Sequence, residues 1–201
     1  GSANSHRGGA QGATLTSLRV LDATGHGTTS DTIAALDWLL TYADELDIRV
    51  VNMSLGKGVS ESNTTDPLVL ATEALWDSGV VIVAAAGNLG SSGNFTIKSP
   101  GNSRKIITVG SLTDSGTDDY SDDYVSTFSS RGPTPGDNVL KPDLIAPGNK
   151  VVSAIPAQAK LRDDLPDRLV TCTEQNCSDD YLSMSGTSMA TPLAVAAVAM
   201  M

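Results

Sequence analysis

Residues 80–85 read Val-Val-Ile-Val-Ala-Ala, six apolar residues with no polar position to turn toward water. A run that short, set between Gly79 and Gly87, fits a strand buried on both faces, and such strands belong to parallel sheets covered by helices on each side. The neighbouring segments supply the covers. Asp66 and Pro67 open a helix that turns Leu68, Ala71, Ala74 and Leu75 inward and stops at Gly79. Residues 49–54 (RVVNMS) make a second short buried strand. Before it, Ile33, Leu36, Leu40 and Ala43 recur at helical spacing behind a cap at Ser30. Strands joined through helices rather than tight hairpins imply right-handed crossovers, so the pattern predicts an α/β fold with a mostly parallel central sheet.

Two more strands are expected, one at residues 106–109 and one at residues 14–21, where Leu15, Leu18 and Val20 sit among polar neighbours before a turn at residues 25–27. Residues 114–123 form an acidic loop, and residues 130–142 are rich in Gly and Pro, which predicts irregular structure. From Thr187 the chain reads TSMATPLAVAAVAMM, apolar on every side, the mark of a helix buried all round. Pro192 falls in its first turns, where a missing N–H costs least.

The 201 residues carry 23 acidic against 13 basic side chains, a net charge of −10, which excludes a phosphate-backbone partner because such binding needs clustered Lys and Arg. No run reaches the ~18 apolar residues of a membrane span. An acidic surface suits solubility outside the cell, and the opening GSANSHRGG, with neither a basic start nor an apolar stretch, reads as no signal peptide. Cys172 and Cys177 are the only cysteines and fit either a short local disulfide, expected if the parent protein is secreted, or two free thiols.

Residues 185–192, SGTSMATP, carry the sharpest chemical signal. A serine there opens a buried helix, where unpaired backbone N–H groups and the helix dipole would stabilise the oxyanion formed when Ser188 attacks a carbonyl. On helix physics alone, Ser188 could equally be a simple cap.

Other segments, in order, complete a pattern that resembles the subtilisin-like serine proteases from about residue 8 to Met201. GAQGATLTSLRVLDATGHG resembles the segment ending in that family's substrate-binding strand. VVNMSLG (residues 50–56) is similar to one wall of the specificity pocket, and GVVIVAAAGN (residues 79–88) to the opposite wall with its oxyanion-hole asparagine. SGTSMATP resembles the nucleophile motif, with FSSRGP and KPDLIAPG as the connecting segment between. The resemblance implies a three-layer fold, Ser188 as nucleophile, and Asn88 as side-chain donor to the oxyanion beside the Ser188 backbone N–H. It implies that Ser54, Leu55 and Gly56 form an extended edge for the substrate main chain, faced by Ala85, Ala86 and Gly87. Small residues there leave a slot for large apolar side chains, with its floor somewhere in residues 94–99. Gly25, His26 and Gly27 would border the subsites beside the serine.

The family's aspartate and histidine motifs are expected upstream of Gly1, so residues 1–201 read as a partial catalytic domain, truncated at its N-terminus. Asp114-Ser115-Gly116 and His26-Gly27-Thr28 copy parts of those motifs in reversed order and occupy no triad position. His26 remains the candidate for a substitute base, against the alternative of an exposed turn histidine. No residue set is read as a metal site. The cluster Asp114, Asp118, Asp119, Asp122 and Asp123 could hold calcium, although a solvated acidic loop explains it better. Three activities follow: a serine hydrolase of the endopeptidase family acting on polypeptides, a truncated hydrolase acting on activated esters, and an inactive fragment. Self-association or a complementing N-terminal segment would cover a truncated sheet.

Overall fold

The computed structural model describes residues 8–170 and 181–201. A five-stranded sheet contains β1 (Val50–Met53), β2 (Val81–Ala85), β3 (Ile107–Thr113), β4 (Tyr124–Val125) and β5 (Leu144–Pro147). β1, β2, β3 and β5 are parallel, with Val50 beside Val81, Val83 beside Ile107 and Val109 beside Leu144. The two-residue β4 joins β3 antiparallel. β6 (Val151–Ala154) and β7 (Tyr181–Met184) form a separate antiparallel pair.

Alternation along the strands separates two cores. Ile82 and Ala84 of β2 face the helices α1 (Thr29–Tyr42) and α2 (Pro67–Asp77), packing with Leu36, Leu39, Leu68 and Leu75. Val81 and Val83 face the opposite way, toward Ala190, Ala194, Val195 and Val198 of α4 (Thr187–Ala199). One strand thus serves both layers, which is why its sequence has no polar position. α2 begins as its sequence predicts: the buried Asp66 caps it through Leu68 N at 3.0 Å, and Lys57 Nζ lies 3.0 Å from the other carboxylate oxygen.

Four expectations change. Residues 14–21 are no strand: they pair with no neighbour among the described residues and are largely exposed, Leu15 at 92%. An alternating pattern makes a strand only where an adjacent backbone accepts its hydrogen bonds. The cap of α1 is Thr28, whose Oγ1 accepts from Asp31 N at 3.0 Å, and not Ser30, which lies inside the helix. Leu40 and Ala74, expected inward, are exposed. α4 is covered on one face only, burying Thr187, Ala190, Thr191 and Ala194 against the sheet while Pro192, Leu193 and Ala197 are exposed. β4 to β7 add strands in segments where none is expected from the sequence. Cys172 and Cys177 lie outside the described residues.

Ala190 is fully buried between α4 and the sheet, packed with Val83, Val109 and Ala146. Ala190→Leu should therefore destabilise the fold by about 1–3 kcal/mol through overpacking, read as a lowered urea midpoint.

Candidate active site

Because β1 and β2 are parallel and end together, with Met53 beside Ala84, the residues that follow each strand leave the same edge of the sheet. The start of α4 meets them there. Ser188, its second residue, donates from Oγ to the backbone carbonyl of Ser54 at 3.1 Å, and Ser54 Oγ donates to the Ser188 carbonyl at 2.9 Å. The second bond has a clear cause. Pro192 has no N–H to give to the carbonyl four residues earlier, so the Ser188 oxygen is left open inside the helix and the Ser54 hydroxyl fills it.

Asn88 follows β2 and is held from one side. Its Oδ1 accepts from Thr187 N at 2.9 Å and from Thr187 Oγ1 at 3.0 Å, while the Thr187 Oγ1 in turn accepts from Gly87 N at 3.2 Å. With Oδ1 engaged twice, Nδ2 has no hydrogen-bond partner among the described residues. Ser188 N has no hydrogen-bond partner among the described residues. Both nitrogens lie near one point, the place a Cβ on Gly186 would take, at 3.3 Å for Asn88 Nδ2 and 3.7 Å for Ser188 N, with Met189 Sδ at 3.5 Å. Two unpaired donors beside one point, at the N-terminus of a helix, form a setting for developing negative charge. The cap of α4 is Gly186, so Ser188 is spared that work.

The two extended edges differ. The main-chain groups of Leu55 and Gly56 have no hydrogen-bond partner among the described residues, whereas Ala86 N donates to Val109 O and Ala86 O accepts from Lys98 N, each at 2.9 Å. Gly87 O accepts from Ser130 N at 2.9 Å. The first edge can pair with an incoming extended chain, and the second, with Ala85 and Ala86 buried, is a wall. Gly87 has φ of +107°, a conformation open to glycine at little cost.

His26 is tied to its own turn. Its Nδ1 lies 3.1 Å from Thr24 Oγ1, its N–H donates to Asp22 Oδ1 at 3.1 Å, and its carbonyl accepts from Asp22 N at 2.8 Å. The Thr24 hydroxyl, then the His26 and Thr24 N–H groups, hold the Asp22 carboxyl below the usual carboxylate range. No hydrogen bond links this turn, with Gly25 and Gly27, to Ser188. The acidic loop spends its carboxylates locally: Asp114 on Gly116 N, Asp119 on Ser121 N, Asp122 on the Thr117 hydroxyl. Among the described residues, no three His, Cys, Asp or Glu side chains lie together as a metal site requires.

A serine hydroxyl at a helix N-terminus, beside two N–H groups without partners among the described residues and an unpaired strand edge, is the kind of geometry that acyl transfer requires. A model of the subtilase family, peptidase S8, matches residues 1–201, and the chain belongs to that family. It is 39% identical over 197 residues to the serine protease AprX of Bacillus subtilis (strain 168), covering 96% of this chain and 42% of that one. It is 35% identical over 193 residues to the extracellular serine proteinase of Thermus sp. (strain Rt41A), covering 96% of this chain and 37% of that one. Among solved structures, Sphericase superposes with a TM-score of 0.64 at 28% identity, over 90% of this chain and 51% of its own. The chain spans about half, or less, of each of these proteins.

Thr187 is the residue that sequence reasoning missed. It stands beside the serine in the quoted motif, but only folding brings its hydroxyl between Gly87 N and Asn88 Oδ1. Thr187→Val should keep the shape, remove one of the two bonds to Asn88 Oδ1 together with the acceptor of Gly87 N, and slow phosphonate labelling of Ser188 about ten- to a hundredfold, with Thr187→Ser restoring most of the rate. Unchanged labelling would show that Asn88 needs no such anchor.

Proposed function

We propose that the chain carries a peptide-hydrolase site in which Ser188 attacks the carbonyl carbon before a scissile bond. The supporting observation is the pair of donors without partners among the described residues, Asn88 Nδ2 and Ser188 N, which lie 3.3 and 3.7 Å from one point while the Thr187 bonds to Oδ1 fix the Asn88 amide. Ser188 Oγ bonds to the carbonyl carbon, and the carbonyl π pair moves to oxygen, where both N–H groups meet the new charge. The hydroxyl proton passes to a base, and collapse of the tetrahedral adduct expels the amine, which takes a proton, and leaves an acyl-Ser188 ester. Water then releases the acid by the same steps in reverse order.

The unpaired main chain of Leu55 and Gly56 supports an extended polypeptide substrate. The serine proteases among the relatives support peptide over ester as the working substrate. Secretion of the parent protein is a further part of this reading, supported by the name of the Thermus proteinase. His26 has the weakest place in it, since among the described residues the hydrogen bonds of its ring and main chain stay within residues 22–26. A base from a complementing N-terminal segment fits better than a rewired turn.

Labelling with a serine-directed phosphonate tests the reading directly. Ser188 should be the modified residue, and Ser188→Ala should abolish labelling and any hydrolysis. Asn88→Ala should lower turnover about a hundred- to a thousandfold, the size known for loss of such a donor in a subtilisin. Labelling that survives in Ser188→Ala protein would overturn the assignment.

A further inference from the structure

We propose that Lys98 makes the slot between the two substrate edges selective for an acidic side chain, Glu or Asp, at the residue before the scissile bond. The inference rests on the acyl-transfer reading of Ser188 and adds the substrate class. Lys98 enters through its backbone, which donates to Ala86 O at 2.9 Å and places the side chain beside the second edge. Its stem then packs against a glycine of each edge. A Cβ on Gly87 would lie 2.6 Å from Lys98 Cγ, and one on Gly56 would lie 3.2 Å from Lys98 Cβ. The lower end of the slot is therefore lined by a half-buried lysine stem that ends in a charge, and not by the small apolar walls alone.

Two polar groups at this place lack partners. Lys98 makes no hydrogen bond or ion pair through Nζ among the described residues, unlike Lys57 with Asp66, Lys105 with Asp77 and Lys141 with Asp143. Ser130 Oγ would lie 2.9 Å from the same Cβ on Gly87, accepts from Leu89 N at 3.1 Å, and has no acceptor for its own hydrogen among the described residues. Ser130 is only 1% exposed, so this donor has little access to water. A carboxylate satisfies both groups, taking a charge-assisted bond from the ammonium and one from the hydroxyl. An apolar side chain would strip water from the ammonium and leave the hydroxyl hydrogen without an acceptor. The local charge agrees: in a chain of net charge −10, the stretch between Asp77 and Asp114 carries Lys98, Arg104 and Lys105 and no Asp or Glu.

The test compares three otherwise identical peptides, with Glu, Gln or Phe at the position before the reacting carbonyl. Phosphonate forms report acylation of Ser188, and fluorescent amide forms report binding to Ser188→Ala protein by anisotropy. Glu should exceed Gln and Phe by about tenfold, equivalent to about 1.4 kcal/mol, and the advantage should shrink with added salt. Lys98→Met keeps the packed stem and should bring Glu and Gln within about twofold of each other, because the charge that separates them is gone. Lys98→Glu should reverse the preference toward a Lys peptide. Labelling of Ser188 that ignores Glu against Gln would overturn the inference and leave the acyl-transfer reading standing. Conversely, no labelling by any probe, together with Lys98-dependent binding of the Glu peptide, would sustain the acidic slot and overturn acyl transfer. Because wild-type protein alone gives the Glu to Gln ratio, a variant that fails to fold does not remove the test.

Discussion

The site depends on the reciprocal bonds between Ser54 and Ser188. A proline four residues after the nucleophile leaves one helical carbonyl without its N–H, and an open carbonyl at a half-buried helix start must find another donor. The donor comes from the residue just past β1, so the defect in α4 fixes the helix to the C-terminal end of a particular strand. In a parallel sheet all such ends share one edge, where loops and helix N-termini meet and where ligands bind in open α/β sheets. The packing agrees with the bond. Ala190 and Ala194 are small enough to let α4 lie close over Val83 and Val109, and Gly148 lets the turn before α4 pass at contact, with Gly186 N donating to its carbonyl at 2.8 Å.

From that anchor the charge-stabilising parts follow without any charged side chain. Thr187 lies one residue before Ser188, so once α4 is seated its hydroxyl reaches Gly87 N and Asn88 Oδ1 together. Its backbone N–H, an orphan at any helix start, is spent on the same oxygen. The next orphan, on Ser188, is the one left over. Fixed dipoles of this kind cost no reorganisation when charge develops, which is why they contribute more than a mobile lysine would.

Legibility in the sequence followed the number of neighbours each signal needs. β2 and α2 were readable because their signals are local: an apolar run between glycines, and an Asp-Pro start. The same is true of Ser188 and Asn88, whose motifs are contiguous. The cap of α1 was missed because Thr28, Thr29 and Ser30 can all cap, and only the turn leading in selects among them. Residues 14–21 had strand periodicity but no strand beside them, and β5 to β7 lie among Pro and Gly residues or beyond an irregular stretch. Thr187, Ser130 and Lys98 were illegible for a different reason: their roles come from contacts between segments far apart in sequence. The one trace of Lys98 was indirect, since glycine stands at both Gly56 and Gly87, where a stem passes close to each.

Stabilising an oxyanion and activating a hydroxyl are separable tasks, and the two are unequally provided for. Loss of one oxyanion donor removes about 2.7–4 kcal/mol of transition-state stabilisation, and a positioned base contributes about a hundred- to ten-thousandfold, a similar size. In the proposed site, the first is assigned to the contacts of Asn88, Thr187 and Ser188. For the second, the Ser188 proton rests on the Ser54 carbonyl, which can accept a hydrogen bond but is far too weak a base to keep a proton near neutral pH. Attack therefore requires Oγ to turn from Ser54 toward an imidazole or comparable base. The backbone of Ser188 need not follow, because its carbonyl stays tied to Ser54 Oγ and its N–H belongs to the other side of the site. The nucleophile can change partners by rotating one bond while both oxyanion donors remain in place, so proton transfer and charge stabilisation do not compete for the same geometry.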